Sequence, residues 1–200
     1  MDDTALRAGL LDGIVIALAG ASDGPLGEQV HRRCGELGGH VARLDVKDKG
    51  EEATAAAIEA LQADLGAVDV LVNDGASLFA QAEDGLPALR ACLDGCWNAV
   101  RAVANAAFID EGATARGGRI ITLAPALAAG AHAAAARAGL ENLGRTLSIE
   151  WARHGIVTST IAPGVGTDPA RVAELVAFLA SSAGSYYSGC LFELDSCPGT

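Results

Sequence analysis

Few side chains in this 200-residue chain are grouped in a way that could do chemistry. Cys92 and Cys96 stand one helical turn apart on a shared face. No histidine or acid lies at a ligand spacing from them, so they read as packed thiols, and no metal site is expected. His132 has the right chemistry to exchange a proton near neutral pH. Its neighbours are alanines, however, and a histidine early in a helix needs no catalytic reason. Gly20, Gly24 and Gly27 follow an apolar run at residues 13–19 (GIVIALA) and precede Val30, Cys34 and Leu37 at helical spacing. That is strand, glycine turn, helix, and a helix N-terminus can receive an anion. Asp23 would put a carboxylate at the same terminus as a cap, and Pro25 suits the first helical position.

The elements that must position these residues alternate along the chain. After the first strand and helix, residues 40–46 (HVARLDV) read as a second strand and residues 51–65 as a helix with Ile58, Leu61 and Leu65 on one face. Residues 68–73 make a third strand, and 86–108 one long amphipathic helix through Leu89, Leu93, Trp97, Val100 and Ala104. Gly117 and Gly118 lead into a fourth strand at 119–123, and a second long helix at 131–154 is closed by Gly155. A fifth strand at 156–161, a helix at 169–181 and a last strand near 190–195 complete the pattern. Strands alternating with helices of this length imply βαβ units and a doubly wound parallel sheet of the Rossmann-like α/β kind, about six strands, covered on both faces. No repeat or linker divides the chain, so residues 1–200 are read as a single domain.

Composition narrows the function. The formal charge of −11 leaves no basic footprint for nucleic acid. No apolar stretch approaches the roughly 20 residues of a bilayer span, and Asp2 and Asp3 stand where a signal peptide would be basic, so no membrane partner and a cytoplasmic location are expected. Five cysteines form no disulfide or zinc pattern. Half the residues are hydrophobic, yet aromatics are only 4%, so the core is built from small side chains under closely packed helices.

Five segments in order carry a resemblance. AGASDGPLG (19–27) looks like a TGxxxGxG cofactor loop, VDVLVNDGA (68–76) like an LVNNAG segment, and GGRIITLAP (117–125) like GGRIVNISS. RAGLENLGRTLSIEWARHGIVTSTIAPG (137–164) is similar to KAGLxxLTRxLAxELAPxGIRVNxVxPG almost residue for residue, and VAELVAFLASSAGSYYSGCLFELD resembles a closing helix and strand. Together they resemble the short-chain dehydrogenase/reductase family over nearly the whole chain. The resemblance implies a nicotinamide cofactor held at Gly20, Ser22, Gly24, Leu26, Gly27, Asp45, Asn73, Gly75, Arg137, Pro163, Gly164 and Thr167.

The same resemblance exposes substitutions. The family's Asn, Ser, Tyr and Lys tetrad falls on Cys92, Ala124 or Pro125, Ala133 and Arg137. The tyrosyl hydroxyl exchanges the proton at the alcohol oxygen, and the ammonium lowers its pKa from about 10. Alanine does neither, and Pro125 offers no donor at all. Arg137 keeps a charge that either holds ribose hydroxyls or pairs with a carboxylate. Pro25 is one residue too many in the phosphate turn. Only 53 positions separate Gly20 from Asn73, so one strand–helix unit is missing. HVARLDVKD resembles the family's third strand, with Asp45 as its adenine-contacting acid, and no counterpart remains for the residue that reads the ribose; NAD and NADP are not distinguished. PGVGT (163–167) resembles the nicotinamide-flanking segment, but the substrate lid that normally follows is absent.

The expectation is a degenerate member that has lost catalysis, binds NAD(H) or NADP(H) weakly or not at all, and serves as a structural or regulatory subunit. Its partner would be itself or an active paralogue, met through helices 86–108 and 131–154 and the C-terminal strand, with Tyr186 and Tyr187 at a subunit contact. The alternative is an NAD(P)-dependent oxidoreductase of a hydroxyl or carbonyl substrate with an atypical donor such as His132. A third reading is a cleft that binds another ligand, such as a coenzyme A ester, without chemistry.

Overall fold

Alternation along the central strands decides the architecture. In β1 (Val15–Gly20), Val15, Ala17 and Ala19 enter one apolar cluster while Ile16 and Leu18 enter another, so both faces are covered. The computed structural model describes residues 6–20, 24–46, 49–83, 85–109 and 116–194. Its six strands are β1, β2 (His40–Asp45), β3 (Val70–Asp74), β4 (Gly118–Leu123), β5 (Ile156–Pro163) and β6 (Cys190–Leu194). They form one parallel sheet in the order β2-β1-β3-β4-β5-β6. The fold is a Rossmann-like α/β fold.

The helices are α1 (Pro25–Glu36), α2 (Glu51–Leu65), α3 (Gly75–Ala80), α4 (Leu86–Val103), α5 (Ala133–Glu150) and α6 (Pro169–Ala180). One face of the sheet packs on α2, α4 and α5 through Ile58, Cys92, Cys96, Val100, Leu140 and Leu147. The other packs on α1 and α6 through Val30, Cys34, Val172, Val176 and Leu179. Alanines at 17, 19, 88, 99, 136 and 177 are fully or almost fully buried, which is what lets helices lie close on the sheet.

Three sequence expectations change. The helix expected over 86–108 is α4 followed by a π-helical turn, Ala104–Phe108, and that turn places Phe108, wholly buried, against Gly118. The helix expected over 131–154 is α5 plus a separate 3₁₀ turn, Ala152–His154. The strand at 40–46 does not sit in a third-strand place. It pairs directly with β1 from Val15–His40 to Gly20–Asp45, so it occupies the second-strand position, and the missing unit is the one that would lie outside it. Asp23, the expected α1 cap, lies outside the described residues; Gly24 is the N-cap, without a side-chain bond, and Pro25 opens the helix.

Substitution Ile121→Ala, at a side chain 1% exposed in the sheet centre, is expected to cost about 2–5 kcal/mol in urea unfolding. Ile149→Ala, at a side chain 78% exposed, is expected to stay within about 0.5 kcal/mol.

Candidate functional site

In a doubly wound sheet the crevice opens beyond the carboxyl ends of the strands, where the strand order reverses. Here that point lies between β1 and β3. Two cavities open there. One, about 130 Å³, is lined by Gly20, Gly27, Arg43, Asp45 and Asp74; the other, about 410 Å³, runs from Gly24 and Leu26 past Ser77, Ala124 and Pro125 to Pro163, Gly164 and Thr167. Asp74 borders both.

Asp74 is 1% exposed and ends β3. Its Oδ1 accepts the Ser77 amide at 3.0 Å, capping α3, and the Ser77 hydroxyl donates to the Asp74 carbonyl at 2.9 Å. Its Oδ2 is buried with no hydrogen-bond partner. Burial pushes the Asp74 carboxyl above the usual carboxylate range, and the nearby amides of Ser77, Gly27 and Ala76 offset only part of that.

The glycine turn is fitted to this segment. A Cβ on Gly24 would stand 2.6 Å from the Ser77 Cβ and 3.2 Å from Asp74 Oδ2; one on Gly27 would also meet that oxygen at 3.2 Å, and one on Gly20 the Asp74 Cβ at 2.8 Å. Gly20 and Gly24 are thus required by the close approach of β3 and α3, and Gly27 sits in tight contact with it, before any ligand enters. Nothing in the sequence motif marked Asp74 as the decisive residue. The signal was the Asp itself, standing where the resembling segment has a second Asn.

The structure sorts the other candidates. Gly20, Gly24, Leu26, Gly27, Asp45, Pro163, Gly164 and Thr167 border the cavities, as do Ala124 and Pro125. Ser22 lies outside the described residues. Asn73, wholly buried, donates Nδ2 to the Cys96 carbonyl at 3.0 Å and so ties β3 to α4. Gly75 packs against Cys96, Leu140 and the Leu123 carbonyl. Neither residue lines a cavity. Arg137, 8% exposed, is not free to hold a ribose: its guanidinium donates to Glu193 Oε1 at 2.5 Å and lies 3.5 Å from the Pro163 carbonyl. The Thr167 hydroxyl is likewise spent on the Leu194 carbonyl at 2.7 Å.

Ala133 and Cys92 are buried in the core, away from the cleft. His132 is exposed at the N-cap of α5 with φ +68° and is not among the residues lining either cavity. The thiols behave as packed groups: burial pushes Cys34 up to about 12, and Cys92 and then burial raise Cys96 well above its usual value. Among the described residues no cluster of His, Cys, Asp or Glu could hold a metal ion, and no helix is long and apolar enough to cross a membrane.

Asp45 changes role. It closes β2 beside Gly20, eighteen residues after Gly27, which is the place from which an acid reads the ribose in this kind of fold. A dinucleotide seated in this way would lay its ribose beside Asp45 and bring its pyrophosphate near Gly24 and Gly27, against which the buried Asp74 carboxyl packs. That carboxyl, where ionised, opposes an anion placed beside it, and Arg137 is paired with Glu193. Among the described residues Asp74 is therefore a poor neighbour for a pyrophosphate.

Comparisons with known proteins agree with this geometry at the level of the fold. The sequence profile of a family described as Enoyl-(Acyl carrier protein) reductase matches residues 10–170. A Bacillus subtilis protein named "Probable 2,4-dienoyl-CoA reductase" is 28% identical over an alignment covering 84% of this chain and 80% of that one. Among solved structures, a citronellol catabolism dehydrogenase from Pseudomonas aeruginosa superposes with TM-score 0.75 at 24% identity, covering 96% of this chain and 98% of that chain. A 3-ketoacyl-(acyl-carrier-protein) reductase from Brucella melitensis, complexed with NADH, gives TM-score 0.71 at 21% identity, over 92% of this chain and 97% of that one.

The buried carboxyl makes a prediction of definite sign. Because the folded protein holds the Asp74 proton more tightly than the unfolded chain, whose carboxyl titrates near about 3.9, stability is gained as pH falls from the folded value toward the unfolded one. Urea unfolding of Asp74→Asn from pH 5 to 8 is expected to lose this slope relative to the parent and to show the larger stability at pH 8.

Proposed function

The chain belongs to the short-chain dehydrogenase/reductase family, a family of oxidoreductases, and on that premise we propose that this member does not run the alcohol–carbonyl chemistry and acts as a structural or regulatory subunit. One observation carries the reading. Ala124, Pro125 and Ala126 give the 410 Å³ cleft a wall without a hydroxyl or ammonium, the Ser77 and Thr167 hydroxyls that line it elsewhere donate to the Asp74 and Leu194 carbonyls, and Arg137 is held by Glu193. The glycine turn is kept because Asp74 and Ser77 pack into it. Dinucleotide binding is therefore weak, and where it occurs Asp45 favours NAD(H) over NADP(H), whose extra phosphate would meet a carboxylate.

The surface expected to meet a partner is α4 with α5. Leu93, Trp97, Leu143 and Leu147 border a groove of about 470 Å³ between them; Trp97 is 39% exposed and Ile149, farther along α5, is 78% exposed. A second copy or an active paralogue docks there, with edge strand β6 as a further contact. Tyr186, 88% exposed, is available to that contact. Tyr187 is not, since it turns inward between Phe178 and Phe192 at 5.7 and 5.6 Å. Action in the cytoplasm belongs to the same reading, supported by the free, buried thiols of Cys34, Cys92 and Cys96.

The second reading is an NAD(P)-dependent oxidoreductase with an atypical site. It is favoured by the likeness to a reductase of coenzyme A thioesters and by Asp74 itself, a titratable side chain that borders the cleft with one unpartnered oxygen.

One substitution separates the two. If Asp74 only repels the pyrophosphate, Asp74→Asn tightens NADH binding by about tenfold or more in calorimetry while no turnover appears with enoyl or carbonyl substrates. If Asp74 supplies the proton, the parent protein binds NADH and turns over, and Asp74→Asn abolishes turnover. Independently, Trp97→Asp is expected to shift the sedimentation of the protein toward monomer; an unchanged assembly would remove the α4–α5 surface from the account.

A further inference from the structure

The sheet has a second opening at the opposite end, where the strands begin. Six residues of β4 separate it from the dinucleotide cleft, about 20 Å of extended chain. It is a cavity of about 340 Å³ lined by Asp69, Arg116, Gly117, Arg119, Gly155 and Ser185, among others.

Its charges do not balance. Asp69 is fully engaged: Oδ1 accepts from the Arg116 guanidinium at 2.8 Å and Oδ2 from the Val15 amide at 2.9 Å. Arg116 also donates to the Val68 carbonyl at 2.6 Å, so it is satisfied on both nitrogens. Arg119 has none of this. It is half-buried, its Nε is buried without any acceptor, and no carboxylate pairs with it. Asp69 attracts it only through space, and burial presses its pKa below the ordinary arginine value. A guanidinium keeps its charge under any such pressure. The two terminal nitrogens of Arg119 are not among the buried atoms and have no side-chain or backbone acceptor among the described residues, and an oxyanion is the group that suits them, because its two oxygens match the fork of the guanidinium.

From this imbalance we infer that the cavity at the start of the strands is a binding site for a small oxyanion, a carboxylate or a phosphate, held by Arg119 with Arg116 beside it. Gly117, with φ +72°, and Gly155, with φ +69°, turn the chain at its rim without side chains, which leaves the guanidinium open to a ligand. The site is separate from the cofactor question, since none of its residues borders the cleft at the other end.

The test is a thermal-shift and calorimetric titration of the full chain with inorganic phosphate and with succinate, at ionic strength held constant with sodium chloride. Saturable stabilisation by at least one of the two is expected, and whichever saturates at lower concentration identifies the class. Arg119→Gln is expected to raise the half-saturating concentration by about tenfold or more, and Arg119→Lys by less, since a lysine keeps the charge and loses the fork. Should Arg119→Gln fail to fold, Ser185→Glu reads the same question: Ser185 is exposed at the rim, and a carboxylate placed there occupies the arginine from within and abolishes the titration. Absence of saturation by both anions, or equal saturation in parent and variants, would overturn the site. NADH binding is expected to be unchanged in these variants.

Discussion

The rest of the site depends on one close approach: the end of β1 and the start of α1 lie directly on the end of β3 and the start of α3. Gly20, Gly24 and Gly27 have no side chains because Asp74 and Ser77 fill the space a Cβ would need. That contact fixes where α1 begins, seats α3 beneath it, and buries a carboxylate at the crevice. The usual explanation of a glycine-rich turn is access for a phosphate. In this chain the glycines are already accounted for by their own protein neighbours, and that shifts the question from whether the motif exists to what occupies it.

The consequences run outward from there. Asp74 cannot be both buried and comfortably ionised, so it holds its proton more tightly than a free carboxyl, and an anion beside it strengthens that hold. Arg137, the remaining cation of the tetrad positions, is spent on Glu193 and so helps join α5 to edge strand β6. The small-residue core permits this: alanines across β1, α4 and α5 let helices sit close, and the tetrad positions at Cys92 and Ala133 are filled by side chains suited to packing.

Much of the fold was legible because strand and helix periods alternate cleanly and because buried strands read as short apolar runs. The six strands and the direct passage from Thr167 into α6 follow from sequence alone. The position of β2 did not. A strand's own residues say that it is a strand, while its neighbour in the sheet is chosen by tertiary packing, and so residues 40–46 were assigned to a third-strand place when pairing with β1 makes them the second. The short helix α3 escaped notice because six residues carry too little periodicity. Within the site, the residues at 92, 125, 133 and 137 were readable one by one. The partner of Arg137 and the burial of Asp74 were not, since both arise from segments distant in sequence: Glu193 is 56 residues from Arg137. Asn73 and Gly75 matched a motif yet face α4 and the core, which shows that a motif names positions and not orientations.

The most direct measurement is a carbon-detected NMR titration of the Asp74 carboxyl, with and without inorganic pyrophosphate. The account predicts that Asp74 titrates above the ordinary value of about 3.9 and moves higher still where pyrophosphate is held beside it, because anion and carboxylate compete for one place. An Asp74 that titrates at the ordinary value, or one whose titration is lowered by pyrophosphate, would contradict it.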